Sequence, residues 1–328
     1  MYSKIDYYHK SRTVCFYIEV YMDFNTAINQ ILVLFIIMFI GTIAKKSRII
    51  DEGIQNSISV LLMQIALPSL ILSSTNIART AEVLPNLISI LTITSIAYIL
   101  TILMCMLTVK GLRFDQKTSA VFISLIVFGN VGFMGYPVVR AFFAETGVFY
   151  ATASNLVFTA FLWTYGILLF NKQEKIDLKK LLNVGSISTL IAILMFAFRI
   201  SLPYSLQTAF DLIGKMTTPL SMLLIGVLIA EIDTSKLVSD KRIYLVAAIR
   251  LIIIPLATAY ILRFMGFNTM VISICTLMAA MPSGATNAIF AAQFDTEPLF
   301  ASVGVFITTL LSILTLPFTV YMLTNFIL

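Results

Sequence analysis

Gly129-Asn130-Val131-Gly132-Phe133-Met134-Gly135-Tyr136-Pro137 interrupts an apolar run that extends from residue 118 to residue 143. These nine residues hold three of the chain's 14 glycines and one of its nine prolines. Glycine relaxes the backbone, and proline cannot donate to a helical ladder. The pattern predicts a helix that stops near Phe128 and restarts at Pro137, with proline in its first turn. A second run, residues 269–294, is interrupted in the same way by Met281-Pro282-Ser283-Gly284-Ala285-Thr286-Asn287. Unwound backbone at membrane depth is tolerated only where it lines a cavity or packs inside protein.

The medium follows from composition. Of 328 residues 59% are hydrophobic and 12% charged, and mean hydropathy is +0.97. Charge is too sparse to cover a soluble globule, since an average domain carries about 25%. That excludes a soluble enzyme, a disordered chain and a nucleic-acid binder. The net charge of +6 sits in short loops between apolar runs. Cys15, Cys105 and Cys275 are far apart, which gives no local disulfide or zinc pattern. The predicted partner is a lipid bilayer, with no nucleic acid, no metal and no cofactor.

A membrane-crossing helix takes about 20 apolar residues. Ten such spans are predicted, at residues 25–44, 54–76, 83–108, 118–143, 146–170, 180–200, 205–230, 242–264, 269–294 and 297–326. Lysine and arginine collect after spans one, three, five and seven, as in Lys45-Lys46, Lys110 with Arg113, Lys179-Lys180 and Lys241-Arg242. The bias puts those loops in the cytoplasm and both termini outside the cell membrane. Lys4, Lys10 and Arg12 run against this orientation, so translation from Met22 and a short external tail both remain open for the first 21 residues.

The chain resembles itself at an offset of about 150. Ala66-Leu67-Pro68-Ser69-Leu70 matches Thr217-Thr218-Pro219-Leu220-Ser221; the two breaks match; Tyr150-Ala151-Thr152 matches Phe300-Ala301-Ser302. Residues 25–170 and 180–328 then form two five-span repeats, joined by a cytoplasmic linker at 171–179 and preceded by a tail at 1–24. Five is odd, so the second repeat is inverted. Inverted repeats with broken helices mark secondary transporters.

Two breaks at one depth bring four helix ends together. The N-termini of the restarting halves offer free N–H groups and partial positive charge, which suit an anion. The predicted substrate site is Asn130, Gly132, Gly135, Pro137, Pro282, Ser283, Gly284, Thr286 and Asn287. No carboxylate lies in either break. Asn and Ser beside a break also serve simply as caps for loose backbone. Asp211 and Lys215, four apart in span seven, face each other as an ion pair, a gate or a proton-linked pair. Arg250 in span eight must pair, snorkel or face water; Asp211, Glu231 and substrate are its candidate partners. Glu231 itself is expected to be solvated.

The nine-residue break resembles the broken fourth helix of the auxin efflux carrier family, which includes plant auxin exporters and bacterial malate and malonate permeases. Its motif there reads roughly Gly-Asn-x-x-x-Met-Gly-x-Pro. Pro219–Gly226, Met281–Gly284 with Phe290-Ala291, and Ala301-Ser302 add to the likeness, which runs from about Met22 to the end of the chain. The resemblance implies an all-α fold of ten helices in two inverted repeats that cross at the breaks, with a scaffold part and a moving part. It implies export or exchange of small organic anions such as malate, with Asn130 on the carboxylate and Pro137 and Pro282 shaping the crossing. That family often opens span six with Asn-Pro; here Asn183 precedes Val184, which leaves a role for Asn183 unsupported. The acidic sodium ligand of the related bile-acid symporters has no counterpart between Thr269 and Phe294, which disfavours sodium coupling. Proton coupling and a homodimer remain open. An anion channel and a non-transporting sensor are the rival readings.

Overall fold

The computed structural model describes residues 24–171, 178–231 and 240–327. The expectations for the first 21 residues and for most of the linker at 171–179 fall outside them. Among the described residues the chain is all helical, with no strand beyond a single isolated bridge. The helices are α1 (Phe24–Lys46), α2 (Glu52–Ser73), α3 (Val83–Gly111), α4 (Gln116–Val127), α5 (Val131–Phe170), α6 (Val184–Ala197), α7 (Tyr204–Ala230), α8 (Lys241–Phe264), α9 (Thr269–Ala279), α10 (Thr286–Gln293) and α11 (Pro298–Ile327). Seven are long and apolar enough to cross a membrane, and α4, α6 and α9 are shorter apolar helices. Large apolar side chains such as Phe39, Leu107 and Leu314 stand exposed on their outer faces, as a lipid-facing surface requires.

Short polar residues start the helices. Asp51, Asp115, Asn183, Asp240 and Asn268 each accept a hydrogen bond from a backbone N–H in the first turn that follows. Asn183 thus has a local role, capping α6 by way of the Ser186 amide at 3.0 Å. Asp115 is held below the usual carboxylate range by the Thr118 hydroxyl and amide, and Asp240 by Arg242.

Prolines shape the interiors. Wide π-helical turns at Leu62–Ala66, Val131–Gly135 and Ile249–Ile253 each end two residues before a proline: Pro68, Pro137 and Pro255. A proline ring collides with the carbonyl four residues back. The widened turn carries that carbonyl away without breaking the helix. About a third of the way along α5, Ala144 takes φ 48° and ψ −140°, a corner inside the 40-residue element. That corner falls between the predicted spans 118–143 and 146–170.

Helices α1, α2, α6 and α7 pack together, and α3, α4, α5, α8, α9 and α11 form a second set around the two breaks. The closest approach in the first set is α1 on α7. A β-carbon on Gly226 would fall 1.8 Å from the Met38 carbonyl oxygen, and one on Gly41 would fall 2.2 Å from that of Leu223. Thr42 Oγ1 donates to Gly226 O at 2.9 Å across the contact. Small residues let membrane helices touch along the backbone, where dispersion rather than water exclusion holds them. Gly226→Ala is expected to cost about 1–3 kcal/mol by overpacking. It should lower the thermal midpoint of the detergent-solubilised protein, whereas Gly111→Ala, which meets nothing within 4 Å, should leave it in place.

Candidate functional site: the crossing of two broken helices

The two breaks meet. Asn130 N donates to Pro282 O at 2.7 Å, and Gly284 N donates to Phe128 O at 3.0 Å. Gly129 and Ser283 face each other as an isolated antiparallel bridge. Side chains brace the crossing. Ser283 Oγ donates to Leu125 O at 2.7 Å, and Asn287 Nδ2 donates to Phe128 O at 2.8 Å and Gly284 O at 2.9 Å. The Ser283 amide donates to Thr308 Oγ1 of α11 at 3.1 Å. Gly284 eases the close approach, since a β-carbon there would fall a tight 3.2 Å from Gly129 O. Gly135 packs on Met278 of α9 in a similar way, with 3.0 Å from a β-carbon to its sulfur.

The first break is shorter than the sequence predicts. Helix α4 does end at Val127, but the chain resumes helical form at Val131 rather than at Pro137. Asn130 explains the difference. Its Oδ1 accepts from Phe133 N at 3.2 Å, and its carbonyl accepts from both Met134 N and Gly135 N. Those bonds close a π turn before the proline is reached, and Pro137 lies buried inside the restarted helix.

The predicted site residues therefore divide by what they already bond. Ser283 and Asn287 donate to backbone within the crossing, and Pro282 and Gly284 pair with its other strand. Open donors remain. Among the described residues Asn130 Nδ2, the Thr286 hydroxyl and the amides of Gly132, Ala285 and Thr286 make no hydrogen bond. Asn155 on α5, 8% exposed, brings its Oδ1 to 3.9 Å from where a Gly132 β-carbon would stand. Asn155 and Thr308 were not singled out from sequence. Asn155 ends the small polar run Thr152-Ala153-Ser154-Asn155, which was the available signal.

Arg250 corrects its predicted pairing. It is 4% exposed and meets neither Asp211 nor Glu231. Its Nε donates to Met281 O at 2.8 Å and its Nη1 to Ile126 O at 3.0 Å. These carbonyls stand at the C-terminal ends of α4 and α9, where unpaired C=O groups carry partial negative charge. One guanidinium thus ties both broken helices together. It reaches them from the π turn Ile249–Ile253, and Gly129 leaves room for it.

Asp211 and Lys215 do pair, at 2.6 Å, and Arg140 Nη2 of α5 reaches Asp211 at 3.7 Å and Glu145 at 2.7 Å. That network joins α7 to the corner at Ala144. Glu231 is not simply solvated, because Lys45 of α1 pairs with it at 2.6 Å. Among the described residues no three His, Cys, Asp or Glu side chains gather in a way that could hold a metal ion.

A many-helix membrane body with two hydrogen-bonded helix breaks at its centre is the build of a multi-pass membrane transport protein. Residues 26–320 match the family described as membrane transport protein, so the chain belongs to that family, the auxin efflux carrier type its first break resembles. It is similar to an uncharacterized transporter of Methanothermobacter thermautotrophicus, 27% identical over 307 residues, covering 90% of this chain and 98% of the relative. It is also similar to an uncharacterized transporter of Methanocaldococcus jannaschii, 24% identical over 305 residues, covering 90% of this chain and 98% of the relative.

Removing the guanidinium strands two buried carbonyls, at about 1–3 kcal/mol each. Arg250→Met should lower the thermal midpoint sharply, and Arg250→Lys should recover only part of the loss, because one ammonium lacks the planar fork. Asp211→Asn, in a partly exposed network, should change stability by less than about 1 kcal/mol. Thermal unfolding of the three purified variants checks the order.

Proposed function

We propose that this protein is a secondary transporter of small organic anions, of which malate is the first to test. In this reading ten spans form two inverted five-helix repeats, residues 25–170 and 180–328, in the cell membrane with both termini outside. The crossing of the two breaks is the substrate site. Access alternates between the two sides as the helices around the crossing move against α1, α2, α6 and α7.

The observation that carries the reading is the set of open donors at the crossing. Asn130 Nδ2, the Thr286 hydroxyl and the free amides at the start of α10 and of the restarted α5 are all donors, with no carboxylate among them. A carboxylate is acceptor-only when ionised and can take several such bonds at once. The partial positive charge of two helix N-termini adds to the attraction. Ser283 and Asn287 hold the frame, and Gly132, Gly135, Gly284, Pro137 and Pro282 give the backbone its path. The Arg140–Asp211 contact joins the two packing sets and would have to open in each cycle, which suits a gate. Export of an anion is driven by an inside-negative potential at about 2.3 kcal/mol per charge per 100 mV.

Two measurements test this. In proteoliposomes, labelled malate should exchange saturably and respond to an imposed potential or pH gradient. A lack of exchange with malate and with other small carboxylates would refute the reading. Asn130→Asp keeps an oxygen to cap Phe133 N but replaces the amide donor with an anion. It should leave the thermal midpoint nearly unchanged and weaken carboxylate binding by at least about tenfold, the equivalent of one charge-assisted hydrogen bond. Unchanged affinity would remove Asn130 from the site.

A further inference from the structure

Arg250 leaves part of its donor set unused. Nε and Nη1 are bonded to the two helix ends, but among the described residues Nη2 makes no hydrogen bond. Nη2 lies against Gly129, where a β-carbon would fall 1.7 Å from it. No carboxylate neutralises the guanidinium, since the acidic partners of the ion pairs among the described residues are Glu145, Asp211, Glu231, Asp240 and Asp295. Arg250 lines a cavity of about 50 Å³ together with Tyr98, Thr101 and Thr258. None of these three hydroxyls is hydrogen-bonded among the described residues. A buried cation and three idle hydroxyls around one cavity are costly unless something polar fills it.

The cavity adjoins a second one. An apolar groove of about 330 Å³ runs between α3 and α8 and shares Ala97, Thr101 and Ile254 with the cavity wall. Its volume falls in the range of small-molecule sites. Leu100, Ile261 and Met265 on its walls are exposed, so the groove opens on the lipid-facing surface.

We infer that this pair of cavities binds an amphipathic monocarboxylate, a free aliphatic acid, taken up sideways from the bilayer. Its carboxylate meets Arg250 Nη2 and the hydroxyls of Tyr98, Thr101 and Thr258, and its hydrocarbon chain lies in the groove between α3 and α8. Charge selects the anion, because the fixed cation has no acidic partner. Size selects the carboxylate. At roughly 10–15 Å³ per water-sized group, the inner cavity takes about four such groups, enough for a carboxylate but not for a phosphodiester with its substituents. Depth agrees. Arg250 lies near the middle of α8, whereas a phospholipid headgroup stays at the interface, about 15 Å from the centre of a 30 Å core. The site is separate from the crossing donors and does not depend on the transport reading.

The test is equilibrium binding of labelled decanoate to the full-length protein in nanodiscs of zwitterionic lipid. Saturable binding is expected, with decanol at least about tenfold weaker because it lacks the charge. Ala97→Phe, which fills the wall common to both cavities, should weaken decanoate binding by a similar factor without unfolding the protein. Thr286→Val, which removes a crossing donor without adding charge, should leave it unchanged. Equal binding of decanol, or wild-type affinity in Ala97→Phe, would overturn the proposal. So would loss of decanoate binding in Thr286→Val, which would put the acid at the crossing. Displacement by anionic phospholipid as effective as by free acid would assign the site to a lipid headgroup and overturn the proposal as well.

Discussion

Backbone hydrogen bonding in hydrocarbon is the constraint on which the rest of this structure depends. Each broken helix frees polar groups inside the packed body of a membrane protein, and each group left unmet away from water costs several kcal/mol. The protein meets that cost by letting the two breaks satisfy each other. Asn130 N and Pro282 O, and Gly284 N and Phe128 O, exchange hydrogen bonds across the crossing. Arg250 then takes the carbonyls of Ile126 and Met281. The C-terminal, partly negative ends of α4 and α9 are therefore closed by a fixed cation. The N-terminal, partly positive ends keep free donors. This division of labour leaves the open side of the crossing electropositive without placing a mobile cation there.

The same division orders the side chains. Ser283 and Asn287 are polar residues that build, and the Asn130 amide and the Thr286 hydroxyl are polar residues that remain available. Asn130 does both, with Oδ1 spent on Phe133 N and Nδ2 unspent. A group already fixed by one hydrogen bond presents its other end with little reorganisation, which is the preorganisation that a binding site benefits from. Outside the crossing, α1 and α7 touch along their backbones at Gly41 and Gly226, a contact that resists bending. The Arg140–Asp211 link, at 3.7 Å and partly exposed, is of the kind that opens at low cost.

Much of this was legible in the sequence. Glycine and proline in an apolar run marked both breaks, and the spacing of Asp211 and Lys215 marked their pair. Apolar length located the long helices, and the corner at Ala144 falls between two predicted spans. What sequence did not reveal has a physical reason in each case. The restart at Val131 depends on the Asn130 carbonyl accepting two amides, a π geometry that no simple periodicity signals. The partners of Arg250 are backbone carbonyls from residues 124 and 31 positions away, and backbone acceptors leave no trace in residue type. Asn155 and Thr308 look like ordinary helix residues until the crossing is folded against them.

The central claim is that the crossing is a carboxylate site reached alternately from two sides. Its most direct test is a single cysteine at Thr286, in protein whose three native cysteines have been replaced, reconstituted in oriented liposomes. The account predicts that an impermeant thiol reagent modifies this cysteine from either side of the membrane, and that a transported carboxylate slows both reactions. Modification from one side only, or at a rate no carboxylate alters, would contradict it.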